Sequence, residues 1–279
     1  MRILVTNDDG VFAPGIAALA RGLADAAVGD VVVVAPLADH SGAGAAVGAV
    51  YEREVIPYEA VEVRGLEGVA TFGIDGPPAL AVILACIGGF GPRPDLVVSG
   101  VNHGVNAGRS ALHSGTVGAA LTASQFGLRA LAVSIAWGPD PVPWETPVGL
   151  AVRTVPVLAV AEPSTVLNLN VPAVAPGALH GVRHAGLGST GLIRAARRDA
   201  GGHPADAATL DRTGGVISLV LRGGDGADPD AERGELDPGS DAAALADGWA
   251  TLTALAGIRE DTGPAAAETL AKALVALEP

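Results

Sequence analysis

The sequence predicts an α/β fold, a doubly wound and mostly parallel sheet with helices on both faces, and three observations predict it. Short apolar runs alternate with helix-spaced segments up to about residue 170. The runs are continuous rather than alternating, as in strands buried on both faces. Several open into loops of Asn, Asp, Ser and Gly, at the carboxyl ends of strands where such sheets bind ligands.

In chain order, Arg2-Ile3-Leu4-Val5-Thr6 is β-branched and apolar and reads as a buried strand that exits into Asn7-Asp8-Asp9-Gly10. Residues 15–26 carry Ile16, Leu19, Ala20 and Leu23 at helical spacing, and residues 31–35 form a second buried strand ended by Pro36. Its exit loop holds Asp39-His40-Ser41-Gly42. Residues 45–75 read as short strands or hairpins, with Val61-Glu62-Val63 alternating and 69–74 extended. Pro77-Pro78 starts a helix over 79–87, since Pro is tolerated in a first helical turn. Asp95-Leu96-Val97-Val98-Ser99 is the next strand, and its exit, Gly100 to Gly108, carries three Gly and two Asn, the mark of a backbone that must approach something closely. Ser114 is a candidate cap for a helix running to about residue 126, whose Gly115 and Thr116 would present free amides to an anion. Residues 131–135 are a strand, 148–160 a helix and 166–169 a strand that ends in Asn168-Leu169-Asn170-Val171-Pro172.

Beyond residue 172 the character changes. Strands are expected at 216–221 and 249–255, a capped segment at 240–247, a Gly-, Asp- and Pro-rich loop at 223–241, and an Ala-rich helix at 265–277. The chain thus divides into an α/β catalytic core, 1–172, and a hairpin, arm and C-terminal helix, 173–279, integrated with the core. Such a second part suits an oligomer interface and equally an ordinary peripheral layer.

Composition narrows the function. With 49% hydrophobic but 3% aromatic residues, the core must be built from Ala, Val, Leu and Ile. No apolar stretch reaches the roughly 20 residues needed to span a bilayer, and a single cysteine rules out an internal disulfide framework. Cys86 reads as core rather than nucleophile. These features lead to the expectation of a cytoplasmic protein with no membrane partner. The formal net charge of −13 argues against a nucleic-acid partner. It still permits a small anionic substrate, because a local metal reverses the sign inside one cleft.

Two adjacent carboxylates, Asp8 and Asp9, at the end of a central strand repel each other unless a cation or donors balance them. Hard oxygen ligands of this kind suit Mg²⁺ or Mn²⁺, although Asn, Asp and Gly also make ordinary solvated turns. The topology brings three exit loops together, those of Asp8/Asp9, Ser41 and Asn102/Asn106. His40, His103 and His113 read as solvated loop histidines. Arg109 is either a phosphate contact or a surface residue, and the Arg194/Arg197/Arg198 cluster is a solvated or interface face. Trp137, Trp144 and Trp249 read as packing residues rather than base-stacking platforms. Gly-x-Gly-x-x-Gly is absent after the first strand, which disfavours a dinucleotide-dependent oxidoreductase.

Taken in order, Asn7-Asp8-Asp9-Gly10, Pro14-Gly15-Ile16, Ser41-Gly42, Ser99-Gly100-Val101-Asn102-His103-Gly104-Val105-Asn106-Ala107-Gly108 and Ser114-Gly115-Thr116-Val117-Gly118 resemble the SurE family, Rossmann-like, metal-dependent phosphatases of nucleoside monophosphates. Asn168-Leu169-Asn170-Val171-Pro172, Ser240-Asp241 and the segment from Asp247 to Thr253 extend the likeness over most of the chain. The resemblance implies one divalent metal per subunit, Mg or Mn, held by Asp8, Asp9, Ser41 and Asn102. It implies catalysis at Asp8 and Asp9, and a phosphate received by Asn106, Ser114, Gly115 and Thr116. It further implies a homodimer or homotetramer joined through exchanged C-terminal arms. The sequence departs from the family pattern at Arg109-Ser110, where an acidic pair is common, and at His113, where Tyr is common. It also departs at Gly76-Pro77-Pro78-Ala79-Leu80-Ala81 and at Leu121-Thr122-Ala123. The expected function is hydrolysis of nucleoside 5′-monophosphates, and possible action on 3′-nucleotides, with water as nucleophile or Asp8 as base or nucleophile. The alternative is a nucleotide-binding relative with little or no catalysis.

Overall fold

Apolar β-branched runs place the strands, and each is stopped by Pro, Gly or a polar turn. The computed structural model describes residues 1–52, 55–191, 193–198, 217–221 and 235–258. In chain order these contain β1 (Arg2–Thr6), α1 (Pro14–Asp25), β2 (Asp30–Pro36), β3 (Tyr58–Ala60), β4 (Ala70–Ile74), α2 (Pro78–Cys86), β5 (Leu96–His103) and α3 (Gly115–Gln125). There follow β6 (Arg129–Ile135), α4 (Glu145–Leu158), β7 (Val166–Val171), β8 (Val182–His184), β9 (Ile193–Arg198), β10 (Ile217–Leu221), α5 (Asp241–Ala246) and β11 (Ala250–Leu255).

The main sheet runs β3-β4-β2-β1-β5-β6-β7-β11-β8, and β9 pairs antiparallel with β10 in a separate two-stranded sheet. From β4 to β7 every pairing is parallel. Alternate side chains of each central strand go to opposite faces. Ile3, Val5, Val31 and Val33 join Leu19 and Leu23 of α1 and Val155 and Leu158 of α4. Leu4, Val32, Val34 and Val97 join Leu80 of α2 and Val117 and Ala123 of α3. The expected doubly wound sheet, covered on both faces, is what forms. Its order reverses between β1 and β5: the chain goes outward from β1 to β2 and β4, then returns to β1's other side. That reversal opens a crevice beyond the carboxyl ends of the two strands.

Several expectations shift in detail. β5 runs through His103 rather than stopping at Ser99, because Asn102 and His103 resume pairing with Ser134 and Ile135 after a break in the ladder. Residues 61–63 form no strand; Tyr58–Ala60 pairs with β4 instead, and the alternation at 61–63 reflects Val61 and Val63 packing on the core with Glu62 exposed between them. α4 begins three residues before the expected 148, with Glu145 in its first turn, where an acid favours the helix dipole. The strand expected at 249–255 is β11, and it lies inside the main sheet, antiparallel to β7 and parallel to β8. Cys86 is buried in α2, as read from sequence. The helix expected at 265–277 and most of the loop expected at 223–241 lie outside the described residues. No described helix is long and apolar enough to cross a membrane.

Candidate active site

The turn after β1 is fixed first by its own sequence. Asn7 is fully buried and its amide nitrogen donates to the Gly10 carbonyl at 3.0 Å. Gly10 takes a positive φ of 104°, which a side chain would resist. Asp8, only 3% exposed, is thereby held at the strand's end. The His40 amide donates to the Asp8 carbonyl at 2.8 Å, and the Gly44 amide donates to the His113 carbonyl at 3.0 Å. These two backbone bonds lace the exits of β1 and β2 to the segment before α3.

The N-terminus of α3 then closes on Asp8. Thr116 Oγ1 donates to Asp8 Oδ1 at 2.5 Å. A Cβ on Gly115 would lie 2.7 Å from the Asp8 Cβ, so only glycine lets the helix come this close. Burial pushes the Asp8 carboxyl up, and the Thr116 hydroxyl and the Thr116 and Gly115 amides pull it part of the way back. The sequence reading left those amides free for an outside anion; the structure turns them toward an anion of the chain itself. Ser114 is the helix cap, as expected, accepting from the Val117 amide at 3.1 Å.

Burial, then the charges of Asp8 and Asp39, raise Asp9 from 3.8 to about 7, opposed by the His103 amide. Two carboxyls strained in this way are eased by positive charge. The neighbouring oxygens are prepared to share it. Ser41 Oγ donates to Asp39 Oδ1 at 2.6 Å, and the Ser41 amide donates to the same oxygen at 2.7 Å. With its proton committed, the hydroxyl offers lone pairs. Asn102 commits its amide nitrogen to the Gly104 carbonyl at 2.6 Å, leaving the side-chain oxygen as the available group. Asn7 Oδ1, next in sequence to Asp8, is buried with no hydrogen-bond partner among the described residues. Among the described residues no three His, Cys, Asp or Glu side chains gather as a metal cluster. A cation here would depend on hydroxyl and amide oxygens, a set that fits a hard ion such as Mg²⁺ or Mn²⁺.

Asn106 is clamped from four directions. Its amide donates to Asn170 Oδ1 at 2.7 Å, and its carbonyl accepts from Asn168 Nδ2 at 2.9 Å and Asn170 Nδ2 at 3.2 Å. Its side-chain nitrogen donates to Ser134 Oγ at 2.9 Å, which leaves one amide hydrogen for a ligand. Asn168 and Asn170 sit two apart on β7 and so reach one face together. Asp241, 0% exposed, accepts from the Gly108, Gly188 and Ala242 amides at 2.9, 2.9 and 2.8 Å. It anchors the far end of the β5 exit from 133 residues away.

These elements enclose a cleft of about 560 Å³. Asp8, Asp9, Ser41, Asn102, Asn106 and Ser114 line it, so the three exit loops do meet. Gly115 and Thr116 stand behind that wall, against Asp8. His103, His113 and Arg109 also line the cleft, whereas His40 lines a smaller neighbouring one. One lining residue went unnoticed in the sequence and another was given a different role. Asp39 carries one faint signal, an acid two residues before a serine, the spacing of an Asx turn. Trp137, read as packing, is 69% exposed on the cleft wall because it follows the last paired residue of β6 and leaves the sheet there. Trp144 does pack against the core, and Trp249 lies 3.6 Å beneath the Arg183 guanidinium.

A family model described as survival protein SurE matches residues 3–193. The 5′-nucleotidase SurE of Chloroflexus aggregans is 38% identical over 258 residues, 91% of this chain and 92% of that protein. The 5′-nucleotidase SurE 1 of Thermus thermophilus is 39% identical over 185 residues, 64% of this chain and 69% of that protein. The crystal structure of the SurE protein from Aquifex aeolicus is similar with a TM-score of 0.73 at 25% identity, covering 98% of this chain and 100% of that one.

Asp9 supplies a test of the site's electrostatics without any ligand. A carboxyl raised from 3.8 to about 7 keeps a proton on folding that the unfolded chain releases, so stability in metal-free buffer falls as pH rises through that window. Asp9→Asn is expected to flatten most of this fall and to melt higher than wild type at pH 8. Urea titrations from pH 4 to 8 check it, and an unchanged pH slope in the variant would refute the assignment.

Proposed function

The chain belongs to the survival protein SurE family, and we propose from that premise that it is a 5′-nucleotidase, releasing phosphate from nucleoside 5′-monophosphates with the help of one Mg²⁺ or Mn²⁺ per subunit. The observation that carries the reading is the Asp8–Asp9 pair at the sheet's reversal point, Asp8 buried and Asp9 half-buried, with the Ser41 and Asn102 oxygens on the same cleft. These four residues would hold the ion. Once bound, it supplies charge neutralisation to the phosphoryl group, the main obstacle to attack on a dianion.

The chain's own groups then do the rest. Asp8 is fixed by Thr116 and can hold its ligand oxygen without rearranging. The Ser114 hydroxyl accepts from Val117 and so keeps its own proton to donate. Asn106 adds its remaining amide hydrogen, and both face charge that grows on the phosphoryl oxygens as water adds to phosphorus and the bond to O5′ breaks. Gly115 and Thr116 act one step back, holding Asp8 in place and directing the positive end of α3 at the same region.

We also infer a homodimer or homotetramer joined through the β9–β10 hairpin. Among the described strands these two pair only with each other, and an isolated hairpin is marginal in water without a surface to cover it. Light scattering on the purified protein is expected to give the mass of two or four chains, and a monomer would contradict the inference.

Phosphate release from adenosine 5′-monophosphate is expected with Mg²⁺ or Mn²⁺, lost on chelation and restored by returning the ion. Asp8→Asn should lower kcat/KM at least about a hundredfold, because it weakens the hold on the ion that would neutralise the phosphoryl charge, a loss on the scale of removing one stabiliser of that charge. Tight nucleotide binding without turnover would instead mark a binding protein. Asp39→Ala should weaken Mn²⁺ binding about tenfold to a hundredfold by calorimetry, as loss of an orienting partner does. Unaltered affinity would show that the Ser41 hydroxyl needs no such partner.

A further inference from the structure

The cleft is larger than a phosphate site requires. An ion and a phosphoryl group displace on the order of 100–200 Å³, a few water volumes, against about 560 Å³ here. The surplus includes one large aromatic surface. Trp137 follows β6, where the Ala136 amide donates to the Val171 carbonyl at 2.8 Å and the Gly104 amide donates to the Ile135 carbonyl at 2.8 Å. The second bond sets Gly104 directly against the indole: a Cβ there would lie 3.2 Å from Trp137 Nε1. His103 packs on the same ring with centroids 4.3 Å apart, and Trp144 backs His103 at 5.7 Å. The indole is therefore braced on its inner side by Gly104 and by a second aromatic layer, yet remains 69% exposed. A tryptophan this exposed, braced against Gly104 and His103 on the wall of the cleft, is placed to take a flat ligand group.

We propose that Trp137 is the platform on which the heterocyclic base of a nucleotide substrate stacks while its phosphate lies at Asp8, Asp9, Asn106 and Ser114. The inference rests on the nucleotidase reading and adds what that reading leaves open, namely how this chain prefers a nucleotide over other phosphate monoesters. Stacking is tolerant of base identity, because every base has a π-face. Trp137 therefore predicts selectivity for the presence of a base and little discrimination among bases.

Kinetics of the metal-loaded enzyme on adenosine 5′-monophosphate and on ribose 5-phosphate, which lacks the base, test this. Trp137→Ala should lower the ratio of the two kcat/KM values about tenfold, mainly through KM for the nucleotide, while Trp137→Phe keeps most of it. An unchanged ratio overturns the platform. If the wild type hydrolyses neither compound, the nucleotidase reading has failed, and calorimetry with the same two compounds decides the platform on its own. A tenfold loss of nucleotide affinity relative to ribose 5-phosphate in Trp137→Ala supports it; an unchanged relative affinity, or no nucleotide binding by the wild type, overturns it.

Discussion

Two neighbouring carboxylates cannot both be taken out of water at the end of a β-strand without compensation, and much of this molecule is arranged around that fact. Asp8 is almost wholly buried and Asp9 half so, and each raises the cost of ionising the other. The compensation within the chain is partial. The Thr116 hydroxyl and the first amides of α3 serve Asp8, while Asp9 receives only the His103 amide against the charges of Asp8 and Asp39. What remains is an unbalanced negative site bordered by oxygens whose protons point elsewhere. Such a site gains from a small, hard cation and has little use for an organic one.

The precision of the arrangement comes from far along the chain. The β5 exit is polar and glycine-rich, and left alone it would sample many shapes. Three buried side chains prevent this: Asn168 and Asn170 from β7 grip both backbone groups of Asn106, and Asp241 grips the Gly108 amide. β11 pairs with β7, and so secures from behind the strand that carries the two asparagines. Residues beyond 172 thus help to shape a site whose lining residues, Gly191 apart, all precede them. A buried carboxylate such as Asp241, satisfied among the described residues by three backbone amides and by no cation, is suited to this task, since releasing any one donor leaves charge without a partner.

The legible part of the fold was the part whose neighbours are generic. β1, β2, β5 and β6 are buried on both faces, so their apolar runs need no knowledge of what covers them. The edges are different. β3 and β8 are three residues long and exposed, and they exist only because β4 and β11 offer them a partner. The site divides in the same way. Asp8 and Asp9 follow a strand end and could be found from pattern, whereas Asn102, which lies inside β5, and Ser41, an ordinary loop serine, are singled out as ligands only by the family likeness. Asp39 gave no usable signal and Trp137 was read as packing rather than as a stacking platform, because the importance of each lies in what faces it. The free helix N-terminus read at Gly115 and Thr116 was correct as local structure. That its amides face Asp8 is a tertiary fact, set by the glycine that lets the helix approach.

Charge at the mouth of the cleft follows a different logic from charge over the whole surface. The chain carries a formal −13, which taken alone would repel a phosphate dianion. Surface charges are screened over about 8 Å at physiological ionic strength, so a ligand inside the cleft responds to what lines it. There Arg109 stands where the resemblance implies an acidic residue, and His113 where it implies Tyr. Arg109 also faces Asp237, whose carboxyl is held low chiefly by the Ser189 amide and hydroxyl, with Arg109 a lesser contributor. The cation is therefore only partly committed and can share its field with an incoming phosphate. The rim thus carries a guanidinium, Arg109, beside the Asp8–Asp9 floor. On the function proposed above, the floor would fix the position of the reacting phosphorus, and the rim and the Trp137 wall would decide which phosphate esters stay long enough to react.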